Sequence, residues 1–216
     1  QSDDYLLVMQ QGEEAEISRQ YAQAIQCFAQ AIKLEPKKPE AYLKQMECAI
    51  RKRDLSVYKK TILQLESLQY PLVLDIYITF AQLAKKQRMY NDGLDILKNA
   101  EKIHGVNITL LLHRAELYQK LNNNTEAINT LKQAQILYPK NLEVRHKLAT
   151  TYIDLDRSIS IKYFNELLKE DYYKDAALSS LGLLYTKRYE SDSTKNSKDL
   201  IKALNYYEQY LKRHPE

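Results

Sequence analysis

The sequence predicts an all-α chain built from a repeated helical hairpin, and three observations support that fold class. Small and apolar residues recur with a period near 34 residues. Within each period the apolar residues follow helical spacing rather than the alternation of a strand. The 216 residues include only 4 glycines and 5 prolines, which suits helices better than a turn-rich sheet. We therefore expect about twelve principal helices and no strands.

The repeat is clearest in residues 12–36 and 115–139. Each segment has a small residue followed, 12, 16, 19 and 24 positions later, by small, large apolar, small and proline residues. We interpret the small residues as points where two antiparallel helices approach, and the proline as the turn. The large apolar residue would fill the gap to the next hairpin. The matching positions are Gly12, Ala24, Phe28, Ala31 and Pro36 in one segment, and Ala115, Ala127, Leu131, Ala134 and Pro139 in the other.

Equivalent sites can be followed along the whole chain. The small site on the first helix recurs at Gly12, Met46, Ala81, Ala115, Ala149 and Gly182. The small site on the second helix recurs at Ala24, Tyr58, Gly93, Ala127, Ser160 and Ala203. The large apolar site recurs at Phe28, Ile62, Leu97, Leu131, Phe164 and Tyr207. One hairpin buries too little surface to be stable, so we expect the hairpins to stack.

This pattern closely resembles the tetratricopeptide repeat family over almost the whole chain. The resemblance implies a right-handed superhelical α-solenoid of stacked helix-turn-helix hairpins. We expect one domain over residues 1–216, with units at about 5–38, 39–73, 74–107, 108–141, 142–174 and 175–216. The second unit is degenerate, because Met46 and Tyr58 replace its small residues. The last unit is similar to Sel-type relatives, and its polar insertion near 189–198 predicts a loop between the paired helices.

Residue chemistry gives no indication of an enzyme. The net charge is only +4, and the basic residues form no block of the kind that marks a nucleic-acid binder. Cys27 and Cys48 are too few for a zinc site, and we expect both to be free thiols. The histidines do not fall in a close-spaced metal motif, and the glycines are too dispersed for a phosphate loop. We therefore predict no catalytic residues, no metal and no cofactor.

The family resemblance implies that the first helices line a concave groove. We predict that three rows of side chains face it. The first row is Met9, Leu43, Ile78, Leu112, His146 and Ser179. The second is Glu13, Glu47, Gln82, Glu116, Thr150 and Leu183, and the third is Ile17, Arg51, Lys86, Lys120, Asp154 and Lys187. An apolar row beside an acidic and a basic row suits an extended or helical peptide of mixed charge. The alternative is a solvated face whose Glu and Lys residues pair along each helix.

The leading functional hypothesis is a protein–protein interaction scaffold that binds a partner peptide or protein in this groove. A regulatory or recruiting arm of a larger enzyme or signalling protein is the alternative, and RNA binding is a distant third because the second row is acidic. The family's groove for chaperone C-terminal tails uses a Lys and an Asn one turn apart. Leu43 with Glu47, and Leu112 with Glu116, stand at those positions, so a chaperone tail is disfavoured. The identity of the partner and self-association stay open.

Localisation is weakly specified by the sequence. No run of about 18 apolar residues is present, so we predict no membrane span. The chain begins at Gln1 without an initiator methionine, which fits a fragment of a longer protein or a removed leader. We expect a cytoplasmic protein, with a periplasmic or envelope-exported form after leader removal as the alternative.

Overall fold

A computed structural model describes residues 2–68, 70, 74–191 and 197–215. For Ser2 it describes the backbone only. These residues form twelve α-helices and no strand, which confirms the predicted fold class of helical hairpins. The helices are α1 Ser2–Ile17, α2 Tyr21–Leu34, α3 Pro39–Lys52, α4 Leu55–Ser67, α5 Leu74–Lys86, α6 Tyr90–His104, α7 Ile108–Lys120, α8 Asn124–Leu137, α9 Leu142–Thr151, α10 Arg157–Leu167, α11 Asp171–Ser191 and α12 Ser197–Arg213.

The chain divides into two compact units, residues 1–121 with α1 to α7 and residues 122–216 with α8 to α12. In the first unit α1 packs against α2, α2 against α3 and α3 against α4. Likewise α5 packs against α6 and α6 against α7, and α3 also contacts α5. In the second unit α8 to α12 likewise pack in chain order. The division falls between α7 and α8, within the fourth predicted hairpin. A single array over 1–216 therefore stays a prediction.

The residues predicted for close helix packing are buried in both units. All twelve small-site positions are buried, including the two bulky residues of the degenerate second hairpin. Met46 is fully buried, and the Tyr58 ring meets Phe80 edge-to-face with centroids 5.6 Å apart. Every large apolar site is also buried except Tyr207, which is half-buried. The 34-residue pattern is thus the pattern of the core.

The sequence predicts a loop near residues 189–198, but the two ends of this polar insertion are helical. α11 continues through 21 residues to Ser191, and α12 begins at Ser197. Much of the extra length of the last hairpin is therefore taken up by longer helices. Its central residues 192–196 lie outside the described part of the chain. The polar composition is explained by exposure of these helix ends, because a solvated helical turn and a loop have similar composition.

The first three hairpins share one turn geometry. Arg19, Arg53 and Arg88 follow the first helix of each hairpin and have positive φ values of 60°, 64° and 60°. In each turn the next residue's amide donates back into the helix, as from Gln20 N to Ala15 O at 2.8 Å. This closes the helix end in a left-handed conformation. Such a conformation costs a residue with a Cβ atom roughly 1–2 kcal/mol.

A buried polar network fixes the second hairpin against the first. Gln45 on α3 donates from Nε2 to the carbonyl of Ile25 on α2 at 3.1 Å. The Thr61 hydroxyl on α4 donates to Gln45 Oε1 at 2.7 Å. Because buried amides are costly when unpaired, this network favours one register of three helices over others.

Both cysteines are free, as the sequence predicts. Cys48 is completely buried on α3, whereas Cys27 on α2 is half-buried. Burial, with the nearby Glu16 and Glu47 carboxylates, raises the pKa of the Cys48 thiol to about 12. Cys48 is therefore a neutral packing residue at ordinary pH.

The tight contact at Gly12 generates the first prediction. A Cβ atom at Gly12 would lie 2.6 Å from Cε1 of Phe28, whose ring is fully buried. We expect Gly12→Ala to lower the free energy of unfolding by about 1–3 kcal/mol, because the ring has nowhere to move. Gly182→Ala is the matched control. Its Cβ would meet Tyr207 at 2.6 Å, but that ring is half exposed and can turn away. Similar urea midpoints for the two variants would contradict this account.

Two buried tyrosines generate the second prediction. Among the described residues, the hydroxyls of Tyr58 and Tyr77 have no hydrogen-bond partner. Burial raises the pKa of Tyr77 to about 12. We expect Tyr77→Phe to leave stability unchanged or raise it by about 1 kcal/mol, because it removes an unsatisfied polar group. Tyr42→Phe is the control and should destabilise, since the Tyr42 hydroxyl donates to the Pro36 carbonyl at 2.9 Å. Thermal melts that rank the two variants in the opposite order would refute this.

The third prediction concerns the ion pair between α11 and α12. Arg188 Nε lies 2.8 Å from Oδ2 of Asp199, a carboxylate on a residue only 4% exposed. Arg188→Met should destabilise the chain by about 1–3 kcal/mol, because it leaves a buried carboxylate without its partner. The neighbouring Lys187→Met removes a pair with the exposed Asp154 and should change stability by no more than about 0.5 kcal/mol. Chemical denaturation distinguishes the two, and equal losses would count against a special role for Arg188.

Candidate partner-binding groove

A groove runs along the first helices α3 and α5 of the first unit. We expect both helices to point in the same direction, because α4 reverses the chain between them. The lining of the groove extends from Glu40 to Arg51 on α3 and from Asp75 to Lys86 on α5. The volume of the groove is about 570 Å³. Its walls are Glu40, Leu43, Lys44, Glu47 and Arg51 on α3, and Asp75, Ile76, Thr79, Phe80, Gln82, Leu83 and Lys86 on α5.

The floor of the groove is apolar. Leu43, Ile76 and Leu83 are half-buried and pack against the core below, while Phe80 is buried. Helical spacing explains the grouping on α5, where residues 76, 80 and 83 lie on one stripe. Such partly covered side chains can lose further water contact when a ligand covers them.

The two ends of the groove carry opposite charge. Glu40 and Asp75 lie in the first turns of their helices, and Arg51 and Lys86 lie in the last turns. This placement complements the helix dipoles, so the sequence has a local reason for it. From residue 40 to residue 51 the helix rises roughly 16 Å at about 1.5 Å per residue. An acidic end and a basic end are therefore separated by an apolar floor of that length.

One of the predicted charge pairs is already satisfied inside the groove. Arg51 donates to Oε1 of Glu47 at 2.7 Å, one helical turn away. The hydrogen bond to Glu47 raises the pKa of Arg51. In this respect α3 follows the alternative of Glu and Lys or Arg pairing along one helix. Among the described residues, Glu40, Asp75 and Lys86 carry no ion pair, so they are the available charges.

The predicted groove residues on α5 need one correction. Gln82 and Lys86 line the groove, but Ile78 does not. Ile78 is 8% exposed and belongs to the core, because its side of α5 turns toward the neighbouring helices. Ile76, Thr79, Phe80 and Leu83 line the groove instead, and none of these four is among the residues predicted from the sequence. The apolar stripe at 76, 80 and 83 was a signal that could have found them.

The predicted residues on α1 and α7 lie outside this groove. Met9 is half-buried against the core, and Glu13 is exposed on the same helix. On α7, Leu112 is half-buried and Lys120 is exposed. Glu116 accepts a hydrogen bond from Lys85 of α5 at 2.8 Å, so this carboxylate joins two first helices. Two of the three carboxylates in the second predicted row, those of Glu47 and Glu116, therefore already have ion-pair partners.

His146, the fifth member of the first predicted row, belongs to the second unit. Its ring lies 5.0 Å from the ring of Tyr173 and 6.2 Å from that of Phe164, measured between centroids. Burial, with Lys147 nearby, lowers the pKa of His146. This histidine therefore packs among the aromatic rings of α10 and α11 as a neutral side chain. Its half-buried position does not indicate a surface contact.

Nothing in the described part of the chain points to metal chemistry or a membrane span. No cluster of three or more His, Cys, Asp or Glu side chains there could hold a metal ion. None of the described helices is both long and apolar enough to cross a membrane. The groove offers an apolar floor with charged ends, and such a surface can hold a segment of another molecule.

Comparison with known proteins agrees with the architecture. Two models described as tetratricopeptide repeat match residues 8–38 and residues 109–141. The first range covers most of α1 and α2, and the second covers α7 and α8. A comparison with curated protein sequences finds no match.

Solved structures with a similar fold include three that span most of this chain. PilW, a type IV pilus biogenesis factor, has a TM-score of 0.56 at 16% identity, covering 98% of this chain and 94% of its own. YrrB, described as a TPR protein with an unusual peptide-binding site, has a TM-score of 0.54 at 18% identity, covering 83% and 91%. PilF of Pseudomonas aeruginosa has a TM-score of 0.53 at 12% identity, covering 99% and 93%. At such identities the likeness concerns the fold alone.

The repeat spacing, the buried small sites, the hairpin architecture and the two model matches agree with one another. Arrays of this type are generally scaffolds that hold other proteins rather than enzymes. The chain contains tetratricopeptide repeats, matched at residues 8–38 and 109–141, and repeats of this type are typical of protein-interaction scaffolds.

Proposed function

We propose that the groove between α3 and α5 binds a short segment of a partner protein. The observation that carries this proposal is the half-buried apolar floor between two ends of opposite charge. Leu43, Ile76 and Leu83 already contact the core on one side and face the groove on the other. Apolar anchors in such a position commonly dominate binding, at roughly 1–3 kcal/mol each.

The charged ends would orient the ligand. Glu40 and Asp75 attract a lysine or arginine, and Lys86 attracts an aspartate or glutamate at the opposite end. Glu47 contributes little to this selection because Arg51 already neutralises it at 2.7 Å. The favoured ligand is thus an apolar segment with a basic residue near one end and an acidic residue near the other. A helical ligand would lie antiparallel to α3, since helices favour acidic N-termini and basic C-termini.

Related observations support a peptide ligand over the alternatives. One protein of similar fold, YrrB, is described as having an unusual peptide-binding site. RNA binding would need a continuous basic surface, whereas Glu40, Glu47 and Asp75 line this groove. A recruiting arm of a larger enzyme could use the same groove, and the full-length reading frame distinguishes that arrangement from a separate scaffold.

The proposal predicts the outcome of peptide selection from a random display library on the immobilised chain. Enriched peptides should carry apolar residues between one basic and one acidic position. Leu83→Ala should raise the dissociation rate of such a peptide roughly tenfold, as expected for loss of an anchor. Lys86→Glu should mainly slow association, and added salt should weaken that effect.

A matched control lies on the opposite helices of the same unit. Leu63 on α4 is 63% exposed and lines a separate cleft between α4 and α6. Leu63→Ala should leave peptide dissociation unchanged. If Leu63→Ala releases the selected peptides while Leu83→Ala does not, the second-helix surface is the working site and the groove proposal fails.

A further inference from the structure

The arginines at the three hairpin turns of the first unit are not explained by the fold. Arg19, Arg53 and Arg88 each adopt positive φ, a conformation that glycine or asparagine accepts more readily. In the second unit, the corresponding turn residue is Asn122, with φ of 56°. The backbone hydrogen bonds that close each turn use main-chain atoms only. The turn thus requires the backbone conformation but makes no use of the guanidinium group.

All three side chains are exposed, and their guanidinium groups are uncommitted. Within the described residues, no side-chain hydrogen bond or ion pair involves Arg19, Arg53 or Arg88. This contrasts with Arg51, which pairs with Glu47, and with Lys85, which pairs with Glu116. Three equivalent positions therefore carry an unfavourable residue type whose charge is left available.

The three arginines share one edge of the first unit. Each follows the C-terminal end of a first helix, and successive first helices point in the same direction because each second helix reverses the chain. Arg19 and Lys52, the residue before Arg53, line the same shallow depression of about 440 Å³. α3 contacts α5 directly, and α1 and α3 both pack against α2. Packed helices lie about 8–10 Å apart, so we expect the row to present one cation at about that interval.

We propose that this row of Arg19, Arg53 and Arg88 is a docking surface for an acidic peptide segment in the polyproline II conformation. That conformation has three residues per turn and rises about 3.1 Å per residue, so every third side chain lies on one face at intervals of roughly 9 Å. A carboxylate at every third residue would therefore meet each arginine in turn. Arginine suits this task because its planar group binds a carboxylate through two hydrogen bonds.

Local charge favours a peptide over a polyanion. Asp54 directly follows Arg53 and caps α4, and Asp92 lies in the first turn of α6 after Arg88. Nucleic acid carries a phosphate about every 3.4 Å along a strand and would be repelled between the arginines. A peptide with spaced carboxylates can place neutral residues at those points. The edge is distinct from the groove between α3 and α5, so either proposal can fail without the other.

The test is fluorescence anisotropy with a labelled peptide of four Glu-Pro-Ala triplets and the full chain. A peptide of the same composition with its four glutamates consecutive is the spacing control. The triple variant Arg19→Gly, Arg53→Gly, Arg88→Gly should bind the triplet peptide at least tenfold more weakly. Its Tm should rise by about 2 °C or more, because glycine relieves the turns, so loss of binding would not reflect unfolding.

The triple variant Lys33→Gln, Lys60→Gln, Lys98→Gln removes the same charge from exposed second-helix positions and should bind like the unaltered chain. The triplet peptide should bind at least threefold more tightly than the consecutive one. The proposal is overturned if both triple variants lose binding equally, if the spacing makes no difference, or if the glycine variant has a lower Tm. Tighter binding of oligothymidylate or of phosphatidylserine vesicles than of the triplet peptide would also overturn it.

Discussion

The contact between Gly12 and the Phe28 ring illustrates the constraint on which the structure depends. Two short helices cannot bury their apolar faces by themselves, so each hairpin must close tightly and then share its remaining face with the next. Closing requires small residues where the backbones approach, and sharing requires a large side chain that reaches outward. Because a ring fills the space that a side chain at Gly12 would need, the two requirements are met by one contact.

Residues outside the small and large sites are not constrained by this packing, so their chemistry can vary. Side chains at the small and large sites are committed to the core, whereas other first-helix residues such as Leu43 and Leu83 line the groove. The floor between α3 and α5 is apolar because Leu43 and Leu83 lie at the boundary between core and solvent. The charged ends follow from helix dipoles, which favour Asp75 in a first turn and Lys86 in a last turn. The core and the groove thus arise from the same helices without competing for the same residues.

Some buried polar groups in the first unit are hydrogen-bonded and favour one helix arrangement, whereas others have no partner among the described residues and lower stability. Gln45 has partners on both neighbouring helices, so it stabilises one arrangement of α2, α3 and α4. The Tyr58 and Tyr77 hydroxyls have no such partners among the described residues. Their rings fill the degenerate hairpin and its neighbour, where Tyr58 packs edge-to-face on Phe80. The volume contributed by an aromatic ring therefore outweighs the cost of burying its hydroxyl.

The helical hairpins and their core could be predicted from the sequence, because a period of 34 residues with fixed small and large sites allows few other arrangements. The sequence also placed Leu43, Gln82 and Lys86 at the groove. Packing against neighbouring helices sets the exact rotation of α5, and with it the burial of Ile78 in the core and the exposure of Ile76 and Leu83 to the groove. Tertiary packing likewise paired Lys85 with Glu116 across two helices. The left-handed turns at Arg19, Arg53 and Arg88 were also invisible beforehand, because arginine itself does not favour that backbone conformation.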